Sequence, residues 1–354
     1  MTTREPAWWY APSPGPVSRL LGPAATVWGR LVQRRFARTP AYQAAVPVIC
    51  IGNFTAGGTG KTPLALEVAS LVHAMGLKAA FLSRGYGGRL RGPHWVDVAA
   101  DRSADVGDEP LLLAAAHPTL VCRDRAAGAR AIAEGPVTVD VIIMDDGLQN
   151  PGVAKDFTIA VVDGVRGIGN GRVIPAGPLR APLDFQLTLV DAVVINRGAT
   201  EGADGGMPVS DFADRLRHDF EGPVLDARIA PSGATDWLSS APVVAFAGIG
   251  VPDRFFATLR ALGARLADEV AFADHHAFTP EDATHLLALA HSHGATLVTT
   301  EKDRARFAGL DGPLATLRET ARTLPIRMKL APRDESRLVA LVEGAIGRRT
   351  PKAR

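Results

Sequence analysis

"NFTAGGTGKTP", residues 53–63, is the stretch whose reading decides the fold. A loop that cradles phosphate needs glycines, so that successive backbone N–H groups can converge on an anion. It then needs Gly-Lys-Ser/Thr, where the lysine reaches the outer phosphates and the hydroxyl meets Mg²⁺. Gly57, Gly58, Gly60, Lys61 and Thr62 supply these groups, and Thr55 stands where the strict spelling has its first glycine. The flanks decide between such a loop and an ordinary glycine-rich turn. Before it, "VPVICIGN" (46–53) is short, apolar and β-branched, as a buried strand is. After it, Leu64, Val68, Leu71, Val72 and Met75 recur at helical spacing, and Pro63 suits a first helical turn. Strand, loop and helix N-terminus together aim amides and a helix dipole at phosphate, so Thr55, Ala56, Gly57, Gly58, Thr59, Gly60, Lys61 and Thr62 read as the contacts of a nucleoside triphosphate.

The rest of the chain supplies the sheet such a loop requires. "AAFLSRG" (79–85), "PTLVCRD" (118–124), "VDVIIMDDG" (139–147), "FTIAVVD" (157–163) and "DAVVINR" (191–197) read as buried strands separated by helical stretches. That alternation predicts an α/β fold: a P-loop NTPase-type, mainly parallel sheet with helices on both faces. A polar, glycine-rich stretch at 197–210 precedes a second strand–turn–helix unit beginning "APVVAFAGIG". The expected organisation is an N-terminal segment at 1–45, a core at 46–238, a smaller C-terminal α/β domain at 239–345 and a basic, frayed tail at 346–354.

Bulk properties narrow the class. A chain of 354 residues, 47% hydrophobic and 21% charged, can bury about two globular cores. A net charge of +2 gives no reason to invoke nucleic acid. The two cysteines, Cys50 and Cys122, fall in apparent strands and suggest no disulfide framework, as suits a reducing compartment. No apolar run is long enough to span a bilayer, and no cleavable signal is evident. The first 45 residues nevertheless carry six arginines against Glu5 alone. Val17, Leu20, Leu21, Ala24, Val27, Trp28 and Leu31 share one helical face, preceded by Trp8, Trp9 and Tyr10. Such a basic amphipathic helix suits an anionic membrane surface, or else packs on the domain with its arginines solvated; Pro23 is expected to weaken it.

Acidic residues recur at predicted strand and helix ends. "VIIMDDGLQN" closes a strand on Asp145 and Asp146, placed as partners of Thr62 for Mg²⁺; both can approach one metal only if the chain has already turned, which Gly147 permits. "GDEP" sets Asp108 and Glu109 before a helical run, where Asp108 reads first as a helix cap. "FADHHAFTPED" sets Asp274, His275 and His276 at a strand end; histidine suits proton transfer, but no cluster at ligand spacing points to zinc.

Taken in order, "GNFTAGGTGKTPL", "LSRGYGG", "GDEPLLLA", "DDGLQN", "PAGPLR", "FADHHAF" and "VTTEKD" resemble the tetraacyldisaccharide 4'-kinase family, the kinases of lipid A synthesis, over residues 46–303. The resemblance implies transfer of the ATP γ-phosphate, with Mg²⁺, to the 4'-hydroxyl of a tetraacyl glucosamine disaccharide 1-phosphate at the cytoplasmic face of the inner membrane. It implies a membrane-associating N-terminal helix and no obligate protein partner. It recasts Asp108 as the base or orienting carboxylate, with His275 as its partner. It places Lys61 and Arg180 on the transferred phosphoryl group, and Thr62, Asp145, Asp146 and Glu109 as the metal set. Arg84 and Arg123 are secondary candidates for phosphate. The chain departs from the family's usual spelling at Leu148, Asn150 and Ala181, where an aromatic residue, a histidine and a glutamate commonly stand. The competing readings are a nucleotide-switched module and a soluble small-molecule kinase. A guanine-reading Asn-Lys-x-Asp is missing, as is a lysine at Ala56, and the basic, Trp-rich N-terminus opposes the soluble enzyme.

Overall fold

Alternate residues of the strand Val48–Gly52 (β1) enter two different cores. Ile49 and Ile51 pack with Leu64, Val68 and Val72 of the helix Lys61–Ala74, while Val48 and Cys50 pack with Ala129 and Ile132 of the helix Arg125–Ala133. A strand covered on both faces must be apolar at every position, which is why its hydrophobic run is continuous. The computed structural model describes residues 5–11, 13–198, 211–307 and 309–349. The glycine-rich stretch expected as a loop therefore lies outside the described residues from 199 onward, as do residues 350–354 of the basic tail.

In chain order the remaining strands of the large sheet are β2 (Ala79–Ser83), β3 (His94–Trp95), β4 (Thr119–Val121), β5 (Val141–Asp145), β6 (Phe157–Asp163), β7 (Ala192–Asn196) and β8 (Val224–Pro231). A four-stranded sheet follows, from β9 (Pro242–Ala247), β10 (Arg265–Ala271), β11 (Thr296–Thr300) and β12 (Arg322–Leu324), and β13 (Ile326–Leu330) ends the series. The nine-stranded sheet runs β13-β8-β7-β6-β1-β5-β2-β4-β3, and the smaller one β10-β9-β11-β12. Among the described strands the edge pairs β13–β8 and β3–β4 are antiparallel and the other pairs parallel. The chain leaves β1 for β2 by crossing β5, so the order reverses at the centre of the large sheet. A crevice opens outside the carboxyl ends of strands at such a switch point. Asp145 closes β5 there, level with Ile51 of β1.

Two expectations are corrected. The smaller unit does not run to residue 345, because β13 returns to the large sheet and the helix Pro332–Gly347 packs Leu338, Val342 and Ala345 into its core. The reason is local: a single residue separates β12 from β13, so the chain steps directly from one sheet to the other. The N-terminal segment is not one helix weakened by Pro23. It forms two, Pro16–Leu20 and Gly22–Arg38, and Pro23 occupies the first turn of the second, where its missing N–H has no helical partner to lose.

Cys50 and Cys122 are free and buried, and burial pushes the Cys50 thiol up to about 11. The native protein should therefore resist a thiol reagent at pH 8, and both cysteines should label once denaturant unfolds the chain. Rapid labelling of Cys50 in the folded protein would contradict this packing.

Candidate active site

The phosphate loop is fastened along its outer edge. Asn53 Nδ2 donates to the Gly57 carbonyl at 3.2 Å, Arg180 Nε to that of Thr55 at 2.9 Å, and Asn196 Nδ2 to that of Thr59 at 3.0 Å. Gln186, fully buried, donates through Nε2 to the carbonyls of Phe54 and Ala181. Gln149 Nε2 bridges the Asn53 carbonyl and Gln186 Oε1. The Ala56 amide donates to the Pro178 carbonyl at 2.8 Å, so Ala56 anchors the loop and its N–H is not free for an anion, while Thr55 anchors it through its carbonyl. The amides of Gly58, Thr59 and Gly60 donate to no backbone carbonyl among the described residues. Gly57 and Gly60 take φ of 92° and 100°, a region that glycine enters without strain. Gly60 then caps the helix that starts at Lys61.

Carboxylates gather beside this loop at the end of β5. Asp145 is buried, its Oδ1 has no partner, and burial together with the Glu109 and Asp146 charges pushes its pKa up to about 7. Asp146 turns the chain with φ 52°, one residue earlier than Gly147 was expected to. Its Oδ1 accepts from Arg180 Nη1 at 2.6 Å and lies 3.9 Å from Lys61 Nζ. Burial works against its charge, yet these two cations hold its pKa down at about 2. Lys61 is itself lowered, by burial above all. Among the described residues no group of three or more His, Cys, Asp or Glu could hold a metal alone. Mg²⁺ commonly needs only one or two carboxylates beside the substrate phosphates. The unpartnered Asp145 oxygen is a hard donor of that kind, and the Thr62 hydroxyl is another, while Asp146 is paired with Arg180 and Glu109 with Lys302.

Asp108 belongs to a second cluster, assembled from both sheets. Its expected capping role is not observed: Gly107 with φ 93° precedes the helix Asp108–Ala114, without a side-chain cap. The buried carboxylate accepts from Ser103 Oγ on Oδ1, and on Oδ2 from His275 Nδ1 at 2.9 Å and Arg306 Nε at 2.8 Å. Burial raises its pKa, but the His275 hydrogen bond, the Arg306 charge and the Ser103 contact outweigh it and hold the group well below the usual carboxylate range. Glu109 pairs with Lys302 Nζ at 3.0 Å, and that ammonium lies 3.4 Å from His275 Nε2. His276 instead stacks on Phe272 and bonds Asp282 at a helix start. Among the described residues Asp146 and His275 are the non-glycines at positive φ (52° and 58°), a strain that concentrates at functional sites.

The structure thus brings Lys61, Thr62, Asp145, Asp146, Glu109 and Arg180 to one end of the large sheet, and Asp108 to His275 across the two units. Arg84 is exposed and Arg123 braces the Gly88 carbonyl. Sequence reasoning passed over Ser103, Arg125, Gln186, Lys302 and Arg306. Arg125 is buried, leaves Nε without a partner and is coupled electrostatically to Asp145. Among the described residues, apart from Thr299, the buried side-chain atoms lacking partners belong to Asn53, Thr59, Arg125, Asp145, Asp274 and Arg306, residues of these two clusters and their borders. Orphaned polar atoms gathered in one region mark a place built for something polar.

A phosphate loop at the switch point, strand-end acids and an Asp–His pair define a P-loop phosphotransferase class. The family model for tetraacyldisaccharide-1-P 4'-kinase matches residues 17–346, and the chain belongs to that family. It is 48% identical to the tetraacyldisaccharide 4'-kinase of Methylobacterium sp. (strain 4-46) over 97% of this chain and 99% of that one. It is 46% identical to the enzyme so named in Parvibaculum lavamentivorans over 98% of each. The crystal structure of LpxK from Aquifex aeolicus in complex with ATP has the same fold, with a TM-score of 0.72 at 24% identity, covering 93% of this chain and 99% of that one.

The raised Asp145 gives a pH test. Between pH 4 and 7 the folded, metal-free protein keeps a proton that the unfolded chain has released, so stability falls as pH rises through that window. Asp145→Asn should stabilise the metal-free protein at pH 8 by roughly 1–3 kcal/mol, with the gain shrinking toward pH 4. Thermal melts in a chelator check this; a gain independent of pH would remove the buried charge as its cause.

Proposed function

We infer that the chain transfers the γ-phosphate of ATP to the 4'-hydroxyl of a tetraacyl disaccharide 1-phosphate, the lipid A precursor. The Asp108–His275 contact carries the reading, because it joins an imidazole to a carboxylate whose neighbour in sequence, Glu109, acts electrostatically on Lys61 of the phosphate loop. The free amides of the loop grip the phosphates. Lys61 and Arg180 offset charge on the transferred group, while Asp146 holds both cations ready in the absence of nucleotide. Thr62 with Asp145 and one further carboxylate, Asp146 or Glu109, would hold Mg²⁺, which would supply charge neutralisation to the phosphates. Asp108, kept ionised by its neighbours, is a weak base. Its work is to accept the hydroxyl's hydrogen bond, orient the oxygen and take the proton late, which is what phosphoryl transfer asks of it.

The lipid acceptor accounts for the N-terminal helices. Val17, Leu20, Val27, Trp28 and Leu31 are large, apolar and exposed, Leu20 to 81%. The opposite side of the longer helix is held by small residues, Ala25 and Gly29, the latter against Pro182. No helix among the described residues is long and apolar enough to cross a membrane. A four-chain lipid cannot leave its bilayer cheaply, so the enzyme meets it by laying this face on the cytoplasmic leaflet of the inner membrane, its arginines toward anionic headgroups.

Incubation with ATP and a panel of acceptors tests the activity: phosphate should appear on the disaccharide lipid, not on a soluble sugar. Lys61→Ala should lower turnover roughly 10²–10³-fold with the fold intact. Leu20→Glu and Leu31→Glu should each weaken sedimentation with anionic vesicles by roughly tenfold. Unchanged sedimentation of the double variant would place the membrane contact elsewhere.

A further inference from the structure

Arg306 stands outside every motif, yet it makes the most heavily partnered contact of the Asp108 cluster. Its side chain is 5% exposed, and a guanidinium so buried requires compensation on all sides. Its own unit supplies most of this. Nη1 donates to the Gly248 carbonyl at 2.8 Å and to Asp303 Oδ1 at 2.5 Å. Asp303 is fixed in turn, accepting from the Gly248 amide and from Thr300 Oγ1. The guanidinium is therefore anchored to the ends of β9 and β11, and its remaining edge crosses to the large sheet. There Nε donates to Asp108 Oδ2 at 2.8 Å, and Nη2 lies 2.8 Å from the same oxygen without the alignment of a hydrogen bond.

The distribution of donors over Asp108 is uneven. A carboxylate oxygen has two lone-pair positions. On Oδ2 both are used, by His275 Nδ1 and Arg306 Nε. On Oδ1 one hydroxyl, from Ser103, leaves room for a second donor. A purely structural arginine needs one carboxylate, and Asp303 already provides it. We propose that Arg306 is a positioning residue for phosphoryl transfer: it pins Asp108 Oδ2, so that Oδ1 is the oxygen presented to the acceptor hydroxyl. The inference rests on the reading of Asp108 as the orienting carboxylate. Because the pin is anchored in the four-stranded unit, Asp108 is correctly aimed only while that unit sits against the helix Asp108–Ala114.

Steady-state kinetics of Arg306→Gln, Arg306→Lys and Asp108→Asn, singly and combined, test this. Misaiming a reacting group by about an ångström costs roughly 10²-fold, so Arg306→Gln should lower kcat by about that factor while KM for ATP changes less than about threefold. Arg306→Lys keeps the charge and one contact and should restore about tenfold of the loss. In the Asp108→Asn background, Arg306→Gln should cost less than about threefold more, since one residue acts through the other. A folded Arg306→Gln enzyme with parental kcat, or losses that multiply in the double variant, overturns the proposal. Should Arg306→Gln fail to fold, Asp303→Asn loosens the same anchor, and parental kcat in that variant overturns it equally. Full activity of Asp108→Asn sinks the reading beneath; loss in Asp108→Asn with full activity in Arg306→Gln sinks this inference alone.

Discussion

The phosphate loop works because its carbonyls are tied outward. A glycine-rich turn left to itself would close on its own hydrogen bonds, and its amides would not wait for an anion. Here four separated parts of the chain hold the loop by its outer edge: Asn53 within it, Gln149 after β5, the Pro178–Gln186 region, and Asn196 at the end of β7. Each takes a carbonyl or, at Ala56, an amide on that outer side. The site is therefore preorganised by protein dipoles, and little reorganisation is required when phosphate arrives.

The same end of the sheet gathers charge that is only partly balanced. Lys61 and Arg180 share Asp146, whereas Asp145 faces burial with two acidic neighbours and one unpartnered oxygen. Such an arrangement costs stability in the metal-free protein, and on the proposed function a cation and a triphosphate would complete it. Asp108 is treated in the opposite way, surrounded by donors and held ionised. Two carboxyl environments therefore stand apart, one buried and short of partners at the sheet end, the other surrounded by donors at the contact of the two units. The proposed function gives the first to the metal and the second to the acceptor.

What could be read from the sequence was what is local in it. Strand, loop and helix around Lys61 lie within about thirty residues, and their periodicities and glycines declare themselves. So do the buried strands, since a sheet covered on both faces writes continuous apolar runs. Arg306 is 198 residues from Asp108, and no spacing rule connects them. Gln186 lies inside a short helix and reads as an ordinary polar residue until its contacts to Phe54 and Ala181 are seen. The return of β13 to the large sheet was missed for the same reason: an edge strand's partner is set by tertiary packing, and a single residue between β12 and β13 resembles the middle of one unit. Two departures from the family's spelling are accommodated by packing. Leu148 is fully buried against Gly52, and Ala181 offers its carbonyl to Gln186, so neither leaves a gap in the loop's support.

The N-terminal helices are tied to the catalytic loops. Ser18 Oγ donates to the Ala176 carbonyl, Trp9 Nε1 to that of Pro175 and Trp28 Nε1 to that of Arg180. Glu5 reaches further, held by Tyr10 and Arg166 beside Gly57, where any side chain would collide with it. The segment whose apolar residues face outward thus grips, on its inner side, the stretch that carries Arg180 and backs the phosphate loop. A helix merely tethering the enzyme to a surface would need no such contacts. With them, under the membrane docking proposed above, the height at which the exposed leucines would settle in a bilayer would also fix the height of the phosphoryl donor. An acceptor whose acyl chains are confined to that bilayer would then present its hydroxyl at one depth, and the geometry of docking would become part of the geometry of transfer.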